Sequence, residues 1–331
     1  MQGVKDNNIT VGSPGGPGAH GDNAIEIRDL QMRYRGVHAL KSIDLDVPAG
    51  TVMGVLGPNG AGKTTTVRII GTLLRPTAGS VRINGIDALA NPHEVRSLIG
   101  LSGQFAAVDD NLTGIENLTM VARLSGLGRR ASKARTHELL EQFGIAEAGK
   151  RRVGTYSGGM RRRIDLAGAI IIRPPVLLLD EPTASLDPIS RAELWSEVRT
   201  LVSEGTTVLL TTQYLEEADQ LADAVTVIVG GEVVARGTPG ELKATVGTAQ
   251  VRLQLADPGD AVRAVGIVAQ LPGMSEVRAD GPTITFSTVE PSRHLARAVA
   301  DLAQAGVEIV DATTNAPTLD DVFLALARSS K

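Results

Sequence analysis

One short stretch decides the fold of this chain, Gly57-Pro58-Asn59-Gly60-Ala61-Gly62-Lys63-Thr64. It follows the apolar run Val52–Leu56 and precedes the helix-like stretch Thr65–Ile70, so it fits the phosphate-loop pattern GxxxxGK[ST] in the required strand–loop–helix context. The glycines let backbone N–H groups converge on phosphate oxygens at a helix N-terminus, whose dipole favours an anion. Lys63 is expected to reach the β- and γ-phosphates, and the Thr64 hydroxyl to coordinate Mg²⁺. The residues predicted to contact the nucleotide here are Gly57, Pro58, Asn59, Gly60, Ala61, Gly62, Lys63, Thr64 and Thr65.

Composition limits the possible classes of protein. The 331 residues suffice for two domains, and 42% hydrophobic with 21% charged residues is typical of a globular protein. A net charge of -4 argues against nucleic-acid binding, which normally requires surplus Lys and Arg. The absence of cysteine excludes disulfides and Cys-ligated zinc.

No segment of the sequence has the pattern of a membrane-spanning helix. Residues 1–23 are predicted to form a disordered arm, because they lack an apolar signal core and residues 11–22 are rich in Gly and Pro. The longest apolar stretch, Ala167–Leu179, is interrupted by Arg173-Pro174-Pro175 and is too short to span a bilayer. We therefore expect a protein that does not cross a membrane by itself, and an ATP site that faces the cytoplasm.

The chain between residues 24 and 246 has the pattern of an α/β nucleotide-binding domain. Alternating runs at Ala24–Leu30, Ile43–Val47 and Ser80–Ile83 predict an antiparallel β subdomain around the phosphate-loop strand. Residues from about 105 to 170 become helical in pattern and predict a helical subdomain. Short apolar strands then alternate with helices, which indicates a mostly parallel sheet covered on both faces; these segments are Val176–Leu179, Ala192–Ser203, Thr207–Leu210, Leu215–Leu221 and Val225–Val229.

Residues 247–331 are predicted to form a small α+β domain for assembly or regulation. Their element order, β-α-β-β-α-β, is typical of the ferredoxin-like arrangement, and a last helix begins at Thr318 with Asp321 in an Asp variant of the capping box. The segment shows no constellation of catalytic or metal-binding residues, and His294 is expected on its surface.

Two further motifs carry chemistry. Val176–Leu179 ends in Asp180-Glu181, where one carboxylate can hold Mg²⁺ and the next can orient the water that attacks the γ-phosphate. We assign Asp180 to the metal and Glu181 to the water. Ser157-Gly158-Gly159 opens a helix with a hydroxyl and free N–H groups, a second phosphate-binding helix start. A single bound triphosphate does not need two phosphate-binding helix N-termini from the same chain. We therefore expect a head-to-tail pair of subunits, in which the helix N-terminus at Ser157-Gly158-Gly159 faces the nucleotide bound by the partner.

In this order, the motifs resemble the ATP-binding subunit of an ABC transporter, a P-loop ATPase. They are the stretch Gly57–Thr64, Ser157–Gly159, Glu181-Pro182-Thr183-Ala184-Ser185-Leu186-Asp187 and Thr211–Ala218, and the resemblance covers roughly residues 24–246. It implies that Tyr34 stacks on adenine, that Gln104 contacts Mg²⁺ and the lytic water, and that residues 105–114 face a membrane subunit. It also implies that Ser185 and Asp187 cross the dimer seam.

Two departures from the family pattern stand out. Met160 stands where the family motif that begins at Ser157 usually ends in Gln, and the phosphate-binding serine and glycines of that motif are present. Gln213 stands where the family has a switch histidine; its amide can hydrogen-bond the γ-phosphate but cannot carry the charge of a protonated His. We expect slow ATP hydrolysis with Glu181, Gln213 and Lys63 as the catalytic residues.

A narrower resemblance is to the daunorubicin-resistance type of drug exporter ATPase from actinobacteria. It is based on Gly154–Arg163, Gln213–Asp219 and the tail Pro317–Leu326. It implies ATP and Mg²⁺ as cofactors, a separate membrane permease, a homodimer or heterodimer of ATP-binding subunits, and a peripheral location on the cytoplasmic face of the cell membrane. The transported compound would be a hydrophobic drug, antibiotic or lipid-like molecule. Two alternatives stay open: a soluble ABC ATPase acting on ribosomes or DNA, and a regulatory module that binds ATP without hydrolysing it.

Overall fold

The chain divides into two compact units after Pro239. The computed structural model describes residues 23–103, 108–184, 186–245, 249–315 and 317–329. The sequence predicts a boundary after Gly237-Thr238-Pro239-Gly240, followed by a short linking helix at Glu241–Val246 that it counts with the first domain. In the structure, nearly all of the helix Pro239–Thr245 belongs to the second unit. Of the arm predicted at 1–23, residues 1–22 lie outside the described residues, and Asn23 already belongs to the first strand.

The first unit combines two sheets with helices. In chain order its elements are β1 (Asn23–Tyr34), β2 (Val37–Pro48), β3 (Val52–Leu56), α1 (Lys63–Ile70), β4 (Ala78–Ile83), β5 (Ile86–Asp87), α2 (Pro92–Arg96), β6 (Ile99–Ser102), α3 (Gly114–Leu124), α4 (Arg129–Gln142), α5 (Gly158–Ala169), β7 (Val176–Asp180), α6 (Pro188–Ser203), β8 (Thr207–Thr212), α7 (Leu215–Leu221), β9 (Ala224–Val229) and β10 (Glu232–Gly237).

The smaller sheet is antiparallel, as predicted. Its strand order is β2-β1-β4-β5, and both β1 and β2 extend several residues beyond the predicted runs. Ile25 and Ile27 of β1 are fully buried while Glu26 between them is not, which is the alternation that a sheet with one covered face requires.

The larger sheet has the order β10-β9-β3-β8-β7-β6, parallel except for β10. Every residue of β7 is buried because both faces of this sheet are covered. Val176 and Leu178 join the core shared with the small sheet and α1, whereas Leu177 and Leu179 join the core of the helical subdomain. The carboxyl ends of β3, β8 and β7 therefore lie side by side at one edge of the sheet.

The helical subdomain consists of α3, α4 and α5. Buried side chains of all three helices, among them Leu118, Leu139 and Ile164, form its core. Thr113 caps α3 in a capping box with Glu116, which fixes where this helix begins. None of the helices in the described ranges is long and apolar enough to span a bilayer.

The second unit is an α+β fold with its own core. Its elements are α8 (Pro239–Thr245), β11 (Ala249–Leu255), α9 (Ala261–Val268), β12 (Met274–Asp280), β13 (Thr283–Thr288), α10 (Pro291–Gln304), β14 (Ile309–Asn315) and α11 (Leu319–Ser329). The antiparallel sheet has the order β12-β13-β11-β14, and α9 and α10 contribute to the same core around Phe286. This agrees with the ferredoxin-like order read from the sequence. The predicted capping box is present: Asp321 accepts hydrogen bonds from the N–H and hydroxyl of Thr318, each 2.9 Å long.

The expectation that His294 lies on the surface is wrong. Its side chain is only 12% exposed, and its Nδ1 is hydrogen-bonded to the buried hydroxyl of Thr288. The ring also packs closely against Gly273, where φ is +83°. His294 therefore ties the start of α10 to the end of β13, a structural contact that the exposed Arg293 and Arg297 beside it do not suggest.

Candidate functional site

The loop between β3 and α1 has the shape that phosphate binding requires. At Gly62, φ is +110° and a Cβ would lie 2.8 Å from the carbonyl oxygen of Ala39. At Gly57 a Cβ would overlap the carbonyl oxygen of Ile228. Both positions therefore require glycine, and the loop leads directly into the N-terminus of α1, where backbone N–H groups can bind a phosphate.

Lys63 lies between the loop and the end of β7. Its side chain is 4% exposed and its Nζ donates to the carbonyl oxygens of Gly57, at 2.8 Å, and Pro58, at 3.2 Å. The same nitrogen is 3.4 Å from Oε1 of Glu181. The lysine of the phosphate loop and the predicted catalytic carboxylate are thus in contact although they lie far apart in the sequence.

Asp180 is held by two hydroxyl groups. Thr64 Oγ1 donates to its Oδ1 at 3.1 Å, and Thr211 Oγ1 at the end of β8 donates to the same atom at 2.6 Å. The donor set of Thr64 and Asp180 consists of hard oxygens, and Mg²⁺ normally takes only one or two protein ligands beside waters and phosphates. These two residues therefore fit a magnesium ion.

Glu181 has an unusual backbone. Its φ is +51°, in the left-handed region that a non-glycine residue rarely adopts, and its side chain is 8% exposed. The Glu181 N–H donates to the carbonyl oxygen of Thr211 at 3.0 Å. Such a conformation persists only where the surroundings impose it, and it aims the carboxylate at Lys63.

The remaining predicted residues are placed around this edge of the sheet. Gln213 is exposed between β8 and α7, close in sequence to the Thr211 that bonds Asp180. Tyr34 ends β1 with 42% of its surface exposed. Gln104 and Ser185 lie outside the described residues.

The predicted second phosphate site begins α5. Ser157 is the N-cap and accepts a hydrogen bond from the N–H of Met160 at 3.3 Å, and Gly158 and Gly159 are the first two helical residues. A Cβ on Gly159 would lie 2.7 Å from Oγ of Ser190, so α6 packs closely there. That hydroxyl donates to Asp187, which caps α6 and also accepts from the N–H groups of Ile189 and Ser190. Within one chain, Asp187 therefore acts as a helix cap.

A buried polar cluster lies behind the site. Glu217 of α7 is fully buried; its Oε1 accepts a hydrogen bond from Nε1 of Trp195 at 3.2 Å. Burial raises the pKa of Glu217, and the nearby hydroxyls of Thr212 and Thr183 oppose that shift. Even so, neither Glu217 Oε2 nor Thr183 Oγ1 has a hydrogen-bond partner of normal geometry among the described residues. An ionised Glu217 is therefore costly here.

The Glu217→Gln substitution is expected to stabilise the protein at neutral pH. Because the folded state raises the pKa of Glu217 above the ordinary value of 4.5, wild-type stability falls as pH rises from that value. The glutamine amide cannot ionise and can donate toward Thr183, so the variant should gain about 1–2 kcal/mol at pH 8. The gain should vanish near the ordinary pKa of the carboxyl. Urea denaturation across this pH range measures it, with exposed Glu216→Gln as control; an equal gain at every pH would contradict the ionisation of Glu217.

Sequence reasoning gave no individual role to three members of this environment, Thr211, Glu217 and Arg162 of α5, although each lies inside a motif that it used. Thr211 had a detectable signal, because it is a polar residue at the end of an apolar strand. Arg162 had none, since its partners are mainly backbone carbonyls. They are the oxygens of Pro182, at 2.6 Å from Nε, Gly103, at 2.6 Å from Nη1, and Asp180, at 3.3 Å from Nη2.

Comparisons with known proteins agree with this geometry. The family model of the ABC transporter matches residues 40–184. The chain is 47% identical over 303 residues to the daunorubicin/doxorubicin resistance ATP-binding protein DrrA of Streptomyces peucetius, covering 92% of both chains. It is 33% identical over 303 residues to Nod factor export ATP-binding protein I of Burkholderia orbicola, covering 91% of this chain and 96% of that one.

A solved structure shares the fold of the nucleotide-binding unit. It is the dimeric structure of MJ0796, a bacterial ABC transporter cassette, with a TM-score of 0.60 and 25% identity, covering 65% of this chain and 98% of that chain. The relatives align over nearly the whole length of this chain, the second unit included. The chain therefore belongs to the ABC transporter family, as an ATP-binding subunit that hydrolyses ATP.

Proposed function

We propose that this subunit energises export of a hydrophobic drug, antibiotic or lipid-like compound through a separate membrane permease. The observation that carries the proposal is the 47% identity to a daunorubicin/doxorubicin resistance protein over 92% of both chains. A second relative is named for the export of a Nod factor. The two names differ in the compound, so the exported molecule is left at the level of a chemical class.

The site residues receive the following roles in this proposal. The loop N–H groups and Lys63 bind the phosphates of ATP, exchanging the Gly57 and Pro58 carbonyls for phosphate oxygens. Thr64 and Asp180 hold Mg²⁺, which when bound neutralises charge on the phosphates. Glu181 orients the attacking water and accepts its proton, and Gln213 donates its amide to the γ-phosphate.

A second subunit completes each site. Ser157 and Gly158 are exposed at the N-terminus of α5, so this helix start can bind the γ-phosphate of a nucleotide held by the partner. Asp187, on the element that packs against Gly159, lies at the seam between the subunits. Tyr34 stacks on the adenine and Gln104 contacts Mg²⁺ and the lytic water. Because each ATP is bound by both subunits, ATP favours a closed pair in which the two subunits enclose the nucleotides, and hydrolysis allows the pair to open.

The second unit serves assembly or regulation, by holding the ATP-binding subunits together or docking to the permease. The subunit is then peripheral on the cytoplasmic face of the cell membrane. In support, the drug-resistance relative aligns through this unit as well as through the nucleotide-binding unit.

Co-purification tests the proposal directly. Tagged Glu181→Gln protein is incubated with native membranes and Mg-ATP, which should hold the closed pair, and is then recovered beside a control without nucleotide. We expect a polytopic membrane protein that is enriched by ATP and whose loss makes cells sensitive to an exported compound. Recovery of ribosomes or nucleic acid in its place would support a soluble ABC ATPase.

A further inference from the structure

We infer that Arg162 is a positioning residue for ATP hydrolysis, which holds Glu181 in its strained backbone conformation. The inference rests on the proposed role of Glu181 as the residue that orients water. It concerns a residue of α5, the helix that begins at the predicted phosphate site Ser157–Gly159.

The guanidinium of Arg162 spans the turn that contains Glu181. Nη2 donates to the carbonyl oxygen of Asp180, before Glu181, at 3.3 Å, and Nε donates to the carbonyl oxygen of Pro182, after it, at 2.6 Å. The N–H of Glu181 itself donates to Thr211 of β8. The peptide group before Glu181 is thereby held at both its C=O and its N–H, and the peptide group after Pro182 is held at its C=O, so the chain is anchored on both sides of Glu181.

This fixing matters because the turn is strained. A left-handed φ such as the +51° of Glu181 costs about 1–2 kcal/mol for an L-residue that has a Cβ. Without the carbonyl contacts, relaxation of φ toward the right-handed region would swing the carboxylate away from Lys63 and from the phosphates. Arg162 never needs to touch ATP to influence the rate.

A carboxylate on the same helix, that of Asp165, stabilises the positive charge of Arg162. The side chain of Arg162 is 12% exposed, and Asp165, one turn along α5, lies 3.4 Å from Nη1. Asp165 in turn accepts a hydrogen bond from Ser102 Oγ at 2.6 Å. Burial lowers the pKa of Arg162, while the carboxylates of Asp165, Glu217 and Asp180 oppose the shift. The guanidinium is therefore a buried, paired cation with its fork turned to the backbone.

The same fork links two strand ends. Nη1 donates to the carbonyl oxygen of Gly103, just after β6, at 2.6 Å, so one side chain of α5 connects the ends of the neighbouring strands β6 and β7. Because these hydrogen bonds hold the Arg162 side chain in one position, a displacement of α5 would be transmitted through it to the Glu181 turn. A lysine could not reproduce this, because one ammonium cannot meet three carbonyls in the geometry of the fork.

The test compares kcat and KM for ATP in the full-length subunit. Arg162→Gln is expected to lower kcat about 10- to 100-fold, the effect of displacing a catalytic group by about 1 Å, with KM changed less than about threefold. The matched control is Arg163→Gln, next on the same helix, whose partners are Glu193 and the Phe143 carbonyl rather than the Glu181 turn. It should keep kcat within about twofold of wild type.

Two more variants separate positioning from folding. Arg162→Lys keeps a cation beside Asp165 and should unfold near the wild-type temperature, yet its kcat should remain at least about tenfold low. Arg162→Gln with Asp165→Asn removes both charges of the buried pair, so that no charge loses its opposite, and it should reproduce the low kcat. Full turnover by Arg162→Lys, or by Arg162→Gln relative to Arg163→Gln, would overturn the inference.

Comparing the turnover of Glu181→Gln and Arg162→Gln distinguishes a failure of the positioning role of Arg162 from a failure of the proposed function. Full turnover by Glu181→Gln would refute the role of Glu181 itself, whatever Arg162→Gln does. Low turnover by Glu181→Gln together with normal turnover by Arg162→Gln would refute only the positioning role.

Discussion

Glu181→Gln is expected to lower kcat for ATP hydrolysis about 100- to 10,000-fold, the range that a positioned general base contributes. Glutamine has the same shape, and its amide oxygen can still face Lys63 at the 3.4 Å that separates Nζ from Oε1 in the wild type. It cannot accept a proton from water, however. The dissociation constant for ATP should change less than about threefold, because the phosphate-binding loop is untouched. Phosphate release and nucleotide titration of the purified subunit measure the two quantities.

The control for this substitution is Glu94→Gln, an exposed glutamate of α2 in the same unit. It should leave both kcat and ATP affinity unchanged. Turnover of Glu181→Gln close to the wild-type rate would mean that another group activates the water, and the assignment of Glu181 would have to be withdrawn.

Gly100→Ala is expected to destabilise the first unit by about 3 kcal/mol or more, enough to lower expression of the folded protein. Gly100 lies in β6, where an added Cβ would overlap the carbonyl oxygen of Ala169 at the end of α5 and lie 2.9 Å from Cγ of Pro174. Backbone atoms on a packed helix end cannot move aside cheaply, so the cost exceeds that of an ordinary overpacked side chain. Chemical denaturation followed by circular dichroism measures it.

Gly128→Ala provides the matched comparison in the same unit. A Cβ at Gly128 meets no atom within 4 Å and the residue has an ordinary φ of -64°. The loss of its favourable place as N-cap of α4 should cost less than about 1 kcal/mol. Equal stability of Gly100→Ala and Gly128→Ala would show that β6 and α5 can separate without cost, against the close packing described above.

The parts of the predicted site that are contiguous in sequence could be recognised because their residues stand together in short runs. The loop Gly57–Thr64 carries its glycines, lysine and threonine in one run, and Asp180-Glu181 follows an apolar strand directly. Their convergence also follows from the order of parallel strands, since β3, β8 and β7 are neighbours and end at the same edge. The sequence does not reveal the left-handed φ of Glu181, because that conformation is imposed by contacts with Arg162 and Thr211.

Elements with weak local patterns were missed. β6 is only Ile99–Ser102 with a glycine inside, too short to show alternation, and β10 is an antiparallel edge strand with no fully buried residue. In the second unit the order of strands and helices was read correctly, because each element alternates or repeats clearly. The burial of His294 could not be predicted, because its hydrogen-bond partner, the hydroxyl of Thr288, lies on a different element.

Trp195 gives the protein an optical property that follows from its position. It is the only tryptophan in the sequence, and its indole N–H donates to Glu217 of α7, the helix that begins just after Gln213 and Tyr214. Excitation near the red edge of aromatic absorption therefore reports on one place, the packing behind the segment assigned to the γ-phosphate. The intrinsic emission of the unlabelled protein is a built-in signal for movement of that segment, readable in a stopped-flow instrument without dye or engineered cysteine.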